Sequence, residues 1–180
     1  MKDVLKPVTA GDSGMAINFI DFQKAFDSVY RPAMWQIMKA YGIPEGIIDI
    51  VKCLYNNSRC AVRTEGELGE WFQIVTGVRQ GCILSPLIFL LVIDWVMKKA
   101  TRDTASGIEW LTDSKLKDLD FADDIALLDV LLNGIQDLTS QVEDTAKLVG
   151  LRVNAGKTKM MTLGTLPHGN ITVSVVQLRL

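Results

Sequence analysis

Histidine occurs once, at position 168, and cysteine only three times, at 53, 60 and 82, with no CxxC pair among them. An odd, scattered set of thiols excludes a disulfide framework and a cysteine zinc site, and reads as buried thiols in a reducing compartment. A basic excess is also missing: 19 lysines and arginines stand against 21 aspartates and glutamates, for a formal net charge of −2. A free-standing nucleic-acid binder carries a positive surplus or at least a basic face, so this balance argues against a complete protein of that class. The first 14 residues have mixed charge and no apolar h-region, so no secretory signal is expected. The longest apolar run, Ile83 to Met97, is broken by Pro86 and Asp94. It falls short of the roughly 20 residues a membrane span needs and reads as a buried helix, so no membrane partner is expected. Internal repeats and low-complexity tracts are absent.

What is present is core material. With 48% apolar residues in 180, the chain can bury one sizeable core. After a loose lead over 1–14, Ala16 to Asp21 alternates as a strand, which places the Asp21 carboxylate at a strand end. Pro32 and Pro44 suit the first turns of two helices. The first carries Trp35, Met38 and Tyr41 and closes at Gly42; the second carries Ile47, Ile48, Val51, Leu54 and Tyr55, and both stripes are expected in the core. Arg59 to Glu65 and Trp71 to Thr76 read as strands joined through Gly66 and Gly69, with Gly77 to Ser85 a loop leading into the apolar helix at Pro86. Lys115 to Phe121 and Ile125 to Asp129 form a tight hairpin with Asp123 and Asp124 at its tip. A helix over Gly134 to Val149 stops at Gly150, and short strands follow at Leu151 to Asn154, Lys159 to Leu163 and Ile171 to Val176. The interleaving predicts an α+β fold: an antiparallel sheet backed by helices.

Two adjacent carboxylates at a hairpin tip repel unless a cation or proton relieves them. Hard oxygen ligands of this kind suit Mg²⁺, with Mn²⁺ as a substitute, because magnesium takes one or two carboxylates and completes its shell with water and phosphates. With Asp21 from another strand end, the set would hold two ions about 3.5–4 Å apart, the spacing used for in-line phosphoryl displacement. One ion would lower the pKa of an attacking 3′-hydroxyl and the other would steady the pyrophosphate. Read without context, an Asp pair in a turn is weak evidence for a metal and reads more readily as turn chemistry, since Asp favours turns for its own hydrogen bonds.

The context is four stretches in order: Phe19-Ile20-Asp21-Phe22-Gln23-Lys24-Ala25-Phe26-Asp27, Gly77-Val78-Arg79-Gln80-Gly81-Cys82-Ile83-Leu84-Ser85-Pro86, Phe121-Ala122-Asp123-Asp124, and Gly150-Leu151-Arg152-Val153-Asn154-Ala155-Gly156-Lys157-Thr158. Together they resemble motifs A to D of reverse transcriptases, most of all those of non-LTR, LINE-type retrotransposons. The resemblance implies a polymerase palm over 15–165 and a segment over 166–180 that leads towards a thumb. It also implies RNA-directed DNA polymerisation, with Asp21 and Asp123 as bridging ligands of two Mg²⁺ ions. Asp124 and the backbone carbonyl of Phe22 would complete the metal set. Phe26 matches the aromatic gate against a ribose 2′-hydroxyl, the backbone at Lys24 and Ala25 would face the triphosphate, and Gln80 would lie beside the incoming nucleotide and template. Lys157 matches the lysine proposed to protonate pyrophosphate. The implied partners are an RNA template, a DNA primer, dNTP, and the fingers, thumb and endonuclease of the same polyprotein. The implied setting is intracellular, in cytoplasm and nucleus.

Each assignment has a plain rival. Phe26 also fits a core position, Lys157 a solvated surface, and Asp27, Asp118, Asp120 and Asp129 read as surface or capping acids; Arg59, Arg63 and Arg79 are either phosphate contacts or ordinary strand arginines. His168 is assigned nothing. A viral-type RNA-dependent RNA polymerase would carry an acid five residues after Asp21, where this sequence has Phe26. The short lead before Asp21 and the lack of primer-grip text after Lys157 imply a fragment of a longer enzyme, and the alternative is a decayed or domesticated palm that acts as a scaffold or weak RNA-binding module.

Overall fold

The structure, a computed structural model, describes residues 14–111, 114–165, 169–173 and 176–178; the expected N-terminal lead to residue 13 and His168 lie outside them. The chain begins with β1 (Met15–Ile20), a short helical turn α1 (Ala25–Ser28), α2 (Arg31–Ala40) and α3 (Glu45–Tyr55). Four two-residue strands follow, β2 (Arg59–Cys60), β3 (Arg63–Thr64), β4 (Glu67–Leu68) and β5 (Phe72–Gln73), and then α4 (Ser85–Thr101). The remainder comprises β6 (Ile108–Leu111), β7 (Ser114–Leu116), β8 (Asp118–Phe121), β9 (Asp124–Asp129), α5 (Leu132–Leu148), β10 (Lys159–Leu163), β11 (Ile171–Val173) and β12 (Val176–Leu178).

The main sheet has the order β10-β1-β9-β8 and is antiparallel throughout. Alternation along its strands sorts the two faces. Ala16 and Ile20 of β1 and Ile125 and Leu127 of β9 join the large core with α4 and α5, while Met15, Ile17 and Leu128 form a small cluster with Ile108 on the opposite face. That second cluster covers only one end of the open face. At the other end Phe19 and Phe121 are exposed, and this is the end where the acids lie.

The helix α4 is apolar nearly all round, as a central helix should be, and Phe89, Val92, Ile93 and Val96 are essentially inaccessible. Among the described residues no helix is long and apolar enough to cross a membrane. Helix α5 ends in a Schellman motif: Gly150 N–H donates to the Lys147 carbonyl (3.2 Å) and Leu151 N–H to the Ala146 carbonyl (3.0 Å), with Gly150 at φ +86°.

Several expectations need correction. Ile47 and Leu54 of α3 are exposed, because only Ile48, Val51 and Tyr55 share the face that meets the core. Strands expected over 59–65 and 71–76 are broken: Arg63–Thr64 turns back on Glu67–Leu68 through Glu65 and Gly66, both with positive φ, and only Arg59–Cys60 reaches Phe72–Gln73. Leu151 to Asn154 forms no strand but a single bridge, Val153 to Phe22. Within the run expected over 171–176, Ile171–Val173 pairs with Val176–Leu178, and residues 174–175 lie outside the described residues. The cysteines are not buried thiols, since Cys53 and Cys60 are exposed and Cys82 is half-buried.

Candidate active site

The register of β1 on β9 pairs Ile20 with Ile125, so the next rung brings the position of Asp21 level with Asp124. Asp21 follows Ile20 and Asp124 precedes Ile125, both buried and helix-facing, so alternation turns the two acids to the open face with Phe19 and Ala126. Phe121 pairs with Asp124 across β8 and β9, leaving a two-residue turn of Ala122 and Asp123. Ala122 takes a left-handed φ of +57°, a conformation that side chains other than glycine and asparagine seldom adopt. Asp123 thus caps the turn, whereas Asp124 is the first residue of a strand rather than part of the tip.

One Asp21 oxygen, Oδ1, is buried and has no hydrogen-bond partner among the described residues. The other, Oδ2, lies 4.0 Å from Lys157 Nζ. A buried orphan acceptor beside a second carboxylate is a donor set that a hard divalent ion satisfies. Among the described residues no three acids lie close enough to hold an ion between them. The structure therefore brings together Asp21, Lys157 and the start of β9, and leaves Asp123 exposed at the turn.

The stretch 150–158 is fastened to the backbone around Asp21. Asn154 N–H donates to the Asp21 carbonyl (2.7 Å), Gln23 N–H donates to the Arg152 carbonyl (2.8 Å), and Thr158 Oγ1 accepts from Asp21 N–H (3.4 Å). The turn that presents Lys157 is closed by Lys157 and Thr158 N–H groups on the Asn154 carbonyl. Thr158 is buried, and neither it nor Asn154 was singled out from the sequence as holding the site. Their i, i+4 spacing on either side of a turn was the available signal.

Lys24 takes φ +47° as it leads into α1, which sets the backbone of Lys24 and Ala25 at a sharp corner just past Asp21. Phe22 and Ala25 are buried. Phe26 is half-buried and stacks on Phe89, with ring centroids 4.3 Å apart and planes 17° off parallel. It is packed against the core on one side while keeping some exposure. Gln80 is exposed, and its Nε2 donates to Asp27 Oδ1 at 2.8 Å, so Asp27 is more than a surface acid. The two line one groove together with Arg31, Arg79, Trp71 and Phe72. Arg31 fixes the wall of this groove: its guanidinium donates to the carbonyls of Gly77 (3.0 Å) and Ile74 (2.7 Å) and lies over the Tyr55 ring.

Of the other acids, Asp129 is buried, not superficial. Its carboxylate accepts from Gly107 N–H and Leu131 N–H, each at 2.7 Å, and so ties the end of β9 to the approach to α5. Asp118 is half-buried on the helix-facing side of β8, opposite Leu127. Burial and then the neighbouring charge of Asp120 push its carboxyl above the usual carboxylate range.

Comparison with known proteins converges on one family. A family model described as "Reverse transcriptase (RNA-dependent DNA polymerase)" matches residues 8–176. The chain is 30% identical over 159 residues to the Retrovirus-related Pol polyprotein from type-2 retrotransposable element R2DM of Drosophila melanogaster, covering 88% of this chain and 15% of that protein. It is 32% identical over 158 residues to the corresponding polyprotein of a type-1 retrotransposable element R2 of Nasonia vitripennis, covering 87% and 15%. The chain thus spans about one-seventh of the length of these relatives, 15% in each case. Among solved structures, apo telomerase from Candida tropicalis truncated from its C-terminal domain superimposes with a TM-score of 0.70 at 16% identity, over 99% of this chain and 36% of that one. That likeness carries the fold, an antiparallel sheet with helices of the reverse transcriptase palm type. Four ordered motifs, the sheet and the matched family model together place this chain in the reverse transcriptase family, by ancestry a nucleotidyltransferase of the non-LTR, LINE-type retrotransposon kind.

Proposed function

We propose that the chain is the catalytic palm, over 15–165, of a retrotransposon reverse transcriptase that transfers a nucleotide from dNTP to a primer 3′-hydroxyl by two-metal catalysis, and that it is a piece of a longer polyprotein. The observation that carries this reading is the register of β1 on β9, which sets Asp21 level with Asp124 while leaving Asp21 Oδ1 buried and unpartnered. Asp21, Asp123, Asp124 and the Phe22 carbonyl would hold Mg²⁺ or Mn²⁺. Bound there, the ions supply activation of the hydroxyl and charge neutralisation at the phosphates.

The remaining roles belong to the chain's own side chains. Phe26, braced by Phe89, stands where a ribose 2′-hydroxyl would meet it. The corner at Lys24 and Ala25 offers backbone to the triphosphate, Gln80 meets the nucleotide and template, and Lys157 gives a proton to the departing pyrophosphate. RNA template, DNA primer, dNTP and the fingers, thumb and endonuclease of the same polyprotein are the partners, and cytoplasm and nucleus the setting. The segment over 166–180 leads towards the thumb.

Titration of the chain with Mn²⁺, followed by loss of the free-ion electron paramagnetic resonance signal, tests the metal half of this reading. Asp21→Asn should weaken binding by about tenfold or more, since losing even a hydrogen-bond partner of a metal ligand costs about that much. Asp144→Asn, an exposed acid on α5, should leave it unchanged. Equal binding by all three proteins would remove the two-metal assignment.

A further inference from the structure

Gln80 does not hang free in its groove. Its Nε2 donates to Asp27 Oδ1 at 2.8 Å, and both partners are held by backbone contacts between the first two motifs. Thr76 Oγ1 donates to the Asp27 carbonyl at 3.0 Å, and Val78 N–H donates to the Phe26 carbonyl at 2.7 Å. Between them Gly77, at φ +77°, runs so close that a Cβ there would sit 2.7 Å from Asp27 Cα. Asp27 and the segment 76–78 before Gln80 are therefore fixed relative to each other by more than the side-chain bond.

The chemistry of that bond has a direction. A carboxylate accepts and does not donate, so only the NH₂ end of the amide can face it. The other end, Oε1, accepts no hydrogen bond from the described residues and is left to the groove. Without Asp27 the amide can rotate, and it presents donor or acceptor indifferently.

We propose that Asp27 is a positioning residue for nucleotidyl transfer: it turns the Gln80 amide so that an acceptor is presented to the groove, selecting ligands that bring a sugar hydroxyl to that point. This rests on the polymerase reading above. Two ligands carry such a donor, the 2′-hydroxyl of an RNA strand and the 3′-hydroxyl of a nucleoside triphosphate. The groove suits either, since Arg79 supplies a positive charge and Trp71 and Phe72 are exposed aromatic surfaces.

Two measurements decide the matter. Heteronuclear NMR of the 180-residue chain reads the bond itself. The Gln80 side-chain amide should show one shifted, slowly exchanging proton that is lost in Asp27→Ala, and identical amide signals in both proteins would overturn the proposal. Single-nucleotide incorporation by the full-length polymerase carrying this palm reads the consequence, as two ratios of kcat/KM: dNTP over its dideoxy counterpart, and RNA over DNA template. Asp27→Ala should lower one of these ratios by about fivefold, the worth of one hydrogen bond, and Asp27→Asn should lower the same ratio by less, because its amide can accept from Gln80 or donate to it. Which ratio falls identifies the hydroxyl. The double variant Asp27→Asn with Gln80→Glu should restore it, because Asn then donates to a carboxylate whose second oxygen still faces the groove. If all rates fall in parallel with both ratios unchanged, Asp27 is structural only and the proposal fails alone. A wild-type polymerase that extends no primer would overturn it together with the polymerase reading.

Discussion

Phe26 is a side chain on which the proposed reading places two demands, packing and sugar selection. Its ring lies 4.3 Å from that of Phe89, which is fully buried in the second turn of α4, so it is braced by the core. A ring held in this way would exclude a 2′-hydroxyl by position, not by chemistry. In a full-length polymerase carrying this palm, Phe26→Val should reduce the preference for deoxynucleotides by about tenfold or more, because the space for the hydroxyl opens. The same change forfeits the ring pair, worth about 1 kcal/mol, so the variant should also unfold at lower denaturant. Competition between dNTP and rNTP in single-turnover extension separates the two effects. A slower variant with unchanged sugar preference would make Phe26 a packing residue.

At the scale of elements, β8 carries a cost that its neighbours explain. Asp118 faces the helix side of the sheet opposite buried Leu127, and burial, followed by the charge of Asp120, raises its carboxyl pKa. A carboxyl raised in the folded state favours folding below its unfolded pKa, near 3.9, and that contribution is lost as pH rises through the folded value. At neutral pH the ionised group therefore opposes folding. Asp118→Asn should raise the Tm at pH 7, with the gain shrinking below about pH 4 as both states bind the proton. Thermal unfolding at the two pH values checks this, and a lower Tm at pH 7 would mean that the charge is not disfavoured there. This acid also marks where sequence reading stopped. Period-two alternation was enough to find β1 and β9 and to set Asp21 at a strand end, and the glycine after α5 was enough to end it. Alternation on β8 reads the same whether its polar face meets water or a helix, so Asp118 reads as a surface acid; Asp129 ends β9 on the face of Ile125 and Leu127, and the Gly107 and Leu131 N–H groups that hold its carboxylate leave no local pattern in the sequence. The Asp27 to Gln80 bond was equally hidden, because a contact between residues 53 positions apart leaves no local pattern.

At the scale of the whole molecule the question is what a palm can do by itself. Metals at Asp21, Asp123 and Asp124 would supply only part of the catalysis, since phosphoryl transfer also needs the triphosphate and primer hydroxyl held in line. A chain of net charge −2 is expected to make few phosphate contacts, so its grip on a template should be weak, with only a shallow dependence on salt. The curated relatives it matches are far longer, with this chain covering only 15% of the first two, and the proposal is that the missing positioning and positive charge reside in that remainder. The isolated 180-residue chain is accordingly expected to extend a primer on an RNA template no faster than background, in either Mg²⁺ or Mn²⁺. Joined to the fingers and thumb of a close relative, the same palm should extend it, and Asp123→Asn in the joined protein should abolish extension. Activity in the bare chain that disappears with Asp123→Asn would show that the palm positions its substrates unaided. A joined protein that binds template but stays inactive would favour the decayed-scaffold reading, because the acids would then persist without the chemistry they are assigned.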